Sequence, residues 1–166
     1  MPTLYYLSVT LHLLAAFFWL GGMLFLAGVG APALRTVEPP ELRQRLFHVL
    51  GTRMRTPGWI SIVTLLVTGT ANLHYRGWLR WDGLLATKAF WATPLGTALA
   101  IKLVTVVLMV GTSAWHDFVL GPRAGLATPG SVEALRLRRQ TALLGRVSAI
   151  VGLVLIGAAV RVARGG

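Results

Sequence analysis

Residues 4–34 read LYYLSVTLHLLAAFFWLGGMLFLAGVGAPAL, a stretch without Asp, Glu, Lys or Arg. A spanning α-helix needs about 20 apolar residues, so this segment can cross a bilayer with residues to spare. Three further stretches share its character. Residues 56–75 carry no charge, Lys102 is the only charge between Ala89 and His116, and residues 147–160 are uncharged between Arg146 and Arg161, which can snorkel to the interfaces. The pattern predicts spans at about 4–29, 57–75, 92–116 and 141–161. The expected fold is an all-α integral membrane protein, a four-transmembrane-helix antiparallel bundle forming one domain over residues 1–166.

Composition points the same way. The chain has 166 residues, 55% hydrophobic and 13% charged, with a mean hydropathy of +0.68. Soluble domains carry about a quarter charged residues. Five acidic side chains cannot solvate a water-facing surface, which excludes a soluble globular enzyme. The absence of cysteine excludes a disulfide framework, an iron–sulfur cluster and thiolate metal sites. The first span is not read as a secretory signal, because no basic residue precedes it and it is too long.

The basic residues predict an orientation. Arg35, Arg43, Arg45, Arg53 and Arg55 follow the first span, and Arg123, Arg136, Arg138 and Arg139 follow the third. The middle connection has only Arg76, Arg80 and Lys88, and the C-terminal tail Arg161 and Arg164. The positive-inside rule then places both termini outside a bacterial-type inner membrane. Tyr5, Tyr6, Trp78, Trp81 and Trp91 form an outer aromatic belt, and Trp59 and Trp115 an inner one. The net charge of +11 is thus a topology signal, not a nucleic-acid footprint. Leu42, Leu46, Val49 and Leu50, after Pro39-Pro40, share one helical face among arginines. They predict a short amphipathic interfacial helix between the first and second spans. Thr128-Pro129-Gly130-Ser131 predicts a turn and a helix start running into the fourth.

A sparse internal repeat places residue n on n+90: His12 on Lys102, Gly21 on Gly111 and Pro32 on Pro122. It would relate two helix hairpins by an axis along the membrane normal. At about 1.5 Å per residue, His12 and Lys102 fall at similar depths. Both are costly in a bilayer and therefore functional candidates. Lys102 either snorkels along its own stem or faces the bundle interior as a cation. No span contains a carboxylate, so an interior cation needs an anion from a ligand, such as a porphyrin propionate, or the lysine is neutral. His12 lies between Leu11 and Leu13, and imidazole is the commonest axial ligand of heme.

His74 ends the second span and His116 the third, while His48 sits in the amphipathic segment. Two histidine pairs are conceivable: an outer one, His12 with His74, and an inner one, His48 with His116. The outer pair is staggered by roughly 10 Å in depth but shares its level with Lys102, and Arg76 is a second propionate candidate. Lys102, Met109 and His116, spaced by seven, also fit a packing seam. Ser61, Thr64, Thr68 and Asn72 line one face of the second span, as interhelical glue or a cavity wall, and Gly145, Ala149 and Gly152 read as a small-residue seam on the fourth.

His12, Trp19, Gly21-Gly22, Phe25 and Pro32 resemble the opening of the copper-resistance protein D (CopD-like) membrane family. Ile101-Lys102-Leu103-Val104, Ser113, His116, Asp117 and Gly121-Pro122 resemble that family's lysine helix, and Arg53 and Thr68-Gly69 fit the helix between. The layout is also similar to HemJ-type protoporphyrinogen oxidases, whose first-helix histidine and third-helix lysine match His12 and Lys102. The resemblance covers about residues 7–125 and implies heme b at His12 with Lys102 nearby, and a link to copper homeostasis. The longer copper-resistance proteins have additional helices that this chain lacks. The function expected is a heme b-binding membrane protein for electron transfer or small-ligand chemistry, with a redox partner protein and a homo-oligomer as further expectations. A HemJ-like oxidase and a copper permease are the alternatives. Copper(I) prefers Cys and Met, and Met23, Met54 and Met109 show no ligand spacing.

Overall fold

The structure, a computed structural model, describes residues 2–80, 83–128 and 130–165. Trp81 of the expected aromatic belt and Pro129 of the expected turn lie outside the described residues. Helix α1 (Pro2–Phe25) runs through a π-helical turn (Leu26–Gly30) into α2 (Ala31–Arg35). After α3 (Pro40–Tyr75) the chain crosses a connection holding a 3₁₀ turn (Leu84–Ala86) and α4 (Lys88–Trp91). Helix α5 (Pro94–Trp115) then runs through a second π turn (His116–Leu120) into α6 (Gly121–Leu126), and α7 (Val132–Arg164) completes the chain. No strand occurs among the described residues.

Three helical runs, Thr3–Arg35, Pro94–Leu126 and Val132–Arg164, are long and apolar enough to cross a membrane. Helix α3 is not among them, because Ser61, Thr64, Thr68, Asn72 and His74 dilute its uncharged half. The structure also corrects the expectation of a separate interfacial helix. Residues 40–56 are helical but continuous with 57–75 in one helix of 36 residues. Nothing between Leu50 and Pro57 caps a helix end, and the helix runs on through Pro57. The Pro57 carbonyl accepts a bond from Ser61 Oγ at 2.9 Å.

Proline accounts for the two π turns. Pro32 and Pro122 have no amide, and their rings would strike the carbonyl four residues back in a regular helix. Widening the preceding turn avoids the clash: the Ala31 amide bonds the Leu26 carbonyl, and the Gly121 amide bonds that of His116. Elsewhere the ends are made by ordinary caps. The Thr93 side chain accepts from the Gly96 amide ahead of Pro94, and Ser131 accepts from the Ala134 amide.

The 90-residue offset seen in the sequence recurs in three dimensions. The π turn at Leu26–Gly30 maps onto His116–Leu120, and α3 maps onto α7 within two residues at either end. Buried positions match too: Ala15 with Thr105, Trp19 with Met109, Ile62 with Gly152, and Thr68 with Ala158. Helices α1 and α3 form one tightly packed hairpin and α5 and α7 the other. Between the hairpins, α1 and its π turn touch α7, while α6 touches α3. The result is a ring of four in which α1 and α5 stand across from each other.

Trp19, Ile62 and Met109, with Leu20, Met23, Leu65, Val151 and Leu155, join all four helices at mid-height. At the end bearing both termini, Phe90 from the connection packs with Ala98, Leu99 and Val162. At the opposite, basic end, Leu120, Ala127 and Leu137 cluster, and Gln44 Nε2 donates to the Ala127 carbonyl at 3.1 Å. At 1.5 Å per residue, helices of 33 residues are about 50 Å long, against a hydrocarbon core of about 30 Å. The overhang on α7 carries Arg136, Arg138 and Arg139, and Arg43 and Arg45 lie near the start of α3 at the same end.

Candidate functional site

His12 enters the structure half-buried, on the face of α1 that packs on α3. Gly69 makes the approach close: a Cβ there would stand 3.3 Å from His12 Cε1. The imidazole Nδ1 lies 2.8 Å from Thr68 Oγ1, and the Leu65 backbone flanks the ring. Thr68 Oγ1 itself donates to the Thr64 carbonyl at 2.6 Å. A hydroxyl has one proton, and Thr64 holds it. Thr68 is therefore placed to accept from His12 Nδ1, and the Leu65 backbone is a second hydrogen-bond partner of the ring. Ser8 Oγ, donating to the Thr68 carbonyl at 3.4 Å, adds a second tie between the helices.

Lys102 occupies the position on α5 equivalent to His12 under the 90-residue offset and is likewise half-buried. It lies within Coulombic reach of His12, and Arg76 lies within reach of Lys102. Arg76 ends α3 with its guanidinium 5.4 Å from the Trp78 ring centroid, and its Nε donates to Tyr5 Oη at 3.4 Å. One turn beyond Thr68, Asn72 Oδ1 is buried with no hydrogen-bond partner. The described carboxylates, Glu38, Glu41, Asp117 and Glu133, all belong to the basic end. Asp82 lies outside the described residues. His12, Lys102 and Arg76 thus form a polar constellation with two cations, one orphan acceptor and no described anion.

The structure distributes the other histidines differently from the expected pairs. His74 is exposed, its ring edge-on to Tyr75 at 6.2 Å. It stands six residues past Thr68, about 9 Å further along α3, so it does not share the level of His12. At the basic end, His116 Nδ1 lies 2.9 Å from Asp117 Oδ1, and Trp59 Nε1 donates to Asp117 Oδ2 at 3.0 Å. His48 packs instead against Gly125, where a Cβ would lie 3.1 Å from its Nδ1. His48 and Trp59 are eleven residues apart on one continuous helix, about 16 Å, which separates His48 from the His116–Asp117 pair. Among the described residues no three His, Asp or Glu side chains gather to hold a bare metal ion.

Two functional contacts were not foreseen from the sequence. Thr68 was visible only as one rung of the Ser61–Asn72 stripe, and its pairing with His12 needs the register between two helices. Trp59 was assigned to an aromatic belt, but its indole also fixes Asp117.

No protein-family profile matches this chain, and no solved structure matches it. The chain is similar to a protein of Aquifex aeolicus (strain VF5) described as uncharacterized, with 41% identity over 69 residues. The match covers 41% of this chain and 47% of that protein, about half the length of the curated relative.

Proposed function

We propose that the chain is a b-type heme protein of the membrane, with His12 as axial ligand and Lys102 and Arg76 facing the propionates. The observation that carries this reading is the Thr68–His12 bond. With its own proton engaged by Thr64, Thr68 favours the imidazole protonated on Nδ1, which would leave Nε2 to a metal, the way supporting bonds orient metal-ligating histidines. The surroundings suit an anionic macrocycle: Lys102 lies within Coulombic reach of the imidazole and Arg76 within reach of Lys102, with no described carboxylate to neutralise them. Bound heme would supply one-electron chemistry or a small-ligand site. The chain's own residues would orient the ring through Thr68, balance two negative charges through Lys102 and Arg76, and exclude water through the Trp19–Met109 layer beneath.

The reading includes a four-span topology, with α3 crossing the bilayer beside α1 and its polar stripe turned inward. Both termini face away from the cytoplasm, as the excess of arginine at the opposite end favours. The likeness to CopD-like and HemJ-type proteins, carried by His12, Lys102 and the glycine–proline positions, supports the same assignment. The test is a visible spectrum of detergent-purified protein, oxidised and dithionite-reduced, with a pyridine hemochrome count. A Soret band, sharpened reduced α and β bands, about one heme per chain and their loss in His12→Ala are expected. A colourless protein after expression with ample heme precursor, or unchanged heme in His12→Ala, overturns the reading.

A further inference from the structure

Arg55 is the most unusual charge outside that constellation. Its guanidinium lies 5.7 Å from the Phe118 ring centroid, on the second π turn. Its Nε is buried without a hydrogen-bond partner. Gly121 borders the guanidinium: a Cβ there would stand in ordinary contact with Arg55 Nη2, at 3.6 Å. The nearest acid in the fold, Asp117, is held by His116 and by Trp59, and Arg55 makes no ion pair among the described residues. Below it, Thr56, Trp59, Ile60, Val63 and Thr64 line a shallow groove along α3. Ile60 and Val63 are 61% and 56% exposed in that wall, and the Trp59 ring is fixed by Phe118 at 5.4 Å as well as by Asp117.

The repeat supplies an internal comparison. The counterparts of Arg55, Trp59 and Phe118 are Gly145, Ala149 and Gly28. At the equivalent positions Gly145 and Gly28 are exposed, with nothing within 4 Å of an added Cβ, so the frame does not require an arginine set against an aromatic ring. Arg146, one position beyond Gly145, is exposed and has no such ring.

We propose that the Arg55 groove is a binding site for one anionic phospholipid, its phosphate at the guanidinium and Thr56 and an acyl chain along Ile60 and Val63. The complementarity is of charge and of length: an unneutralised cation at the membrane boundary, followed by an apolar trough into the hydrocarbon region. Basic pockets at helix ends recognise lipid headgroups in this way, and guanidinium suits phosphate. The inference rests on α3 crossing the bilayer and is independent of heme.

The experiment is native mass spectrometry of the full chain released from phosphatidylcholine nanodiscs doped with phosphatidylglycerol. One retained phosphatidylglycerol is expected. Arg55→Ala weakens its retention about fivefold, the worth of one interfacial arginine, while Arg146→Ala does not. Ile60→Trp, which fills the trough and keeps the cation, also displaces the lipid. Equal losses in Arg55→Ala and Arg146→Ala, or retention in Ile60→Trp, overturn the proposal. The heme spectrum of Arg55→Ala stays that of the parent, so failure here and failure of the heme reading are distinguishable.

Discussion

At the scale of single residues, a threonine decides what a histidine can do. Thr68 gives its proton to Thr64 and is placed to accept one from His12 Nδ1, 2.8 Å away. Thr68→Val keeps shape and removes the acceptor. Heme affinity is expected to fall by about 10–100-fold, the usual effect of losing such a supporting bond, as read by Soret titration of the apoprotein. An unchanged affinity would show that ring packing against Gly69 suffices. His12 and Lys102 were legible in the sequence because ionisable side chains in apolar runs stand out. Thr68 was not, because threonine is unremarkable in a span until its neighbour across the interface is known. The histidine pairings failed to emerge for a related reason: helical rise along one chain gives depth, but azimuth and helix continuity decide contact.

At the scale of elements, the two breaks in regular helix and the one tight connection have local causes. Prolines at 32 and 122 produce the π turns, and the second of these sets Phe118 over Arg55. The connection before α5 folds back so closely that a Cβ on Gly96 would collide with the Phe90 carbonyl oxygen. That atom is backbone and cannot swing aside. Gly96→Ala is expected to destabilise the protein by about 1–3 kcal/mol, seen as a lower thermal midpoint in detergent. Gly145→Ala, with nothing within 4 Å of the new atom, holds or raises the midpoint, since alanine is the better helix former, and serves as control. Helix positions were readable from charge-free runs. Their ends were not: the α3 and α7 helices continue well past the apolar stretch, since sequence rich in arginine and leucine is as good a helix former as the span itself. That is why the amphipathic segment at 40–56 was expected to lie apart.

At the scale of the whole molecule, the 90-residue offset is the organising fact, and the sequence showed it only as a few scattered matches. Packing preserves burial and curvature, not side-chain identity, so Trp19 over Met109 or Ile62 over Gly152 leaves no trace in a residue comparison. The offset also puts both termini at one end of the ring and the arginine-rich overhangs at the other. The chain has no cysteine, so single cysteines report orientation cleanly. With a membrane-impermeant maleimide on intact spheroplasts, a cysteine replacing Thr87 is expected to label and one replacing Thr36 to stay silent. The reverse pattern would invert the topology and leave the packing untouched.

Each hairpin is a worked variant of the other. At four buried stations the same frame accepts alanine or threonine, tryptophan or methionine, isoleucine or glycine, threonine or alanine. Where one half is emptied, a neighbour moves in, as Leu20 does over Gly152. For protein engineering this means that the chain carries a tolerance table for its own core. An exchange between paired stations starts from a side chain the architecture already holds, which makes this scaffold unusually open to rebuilding of its interior around a chosen ligand.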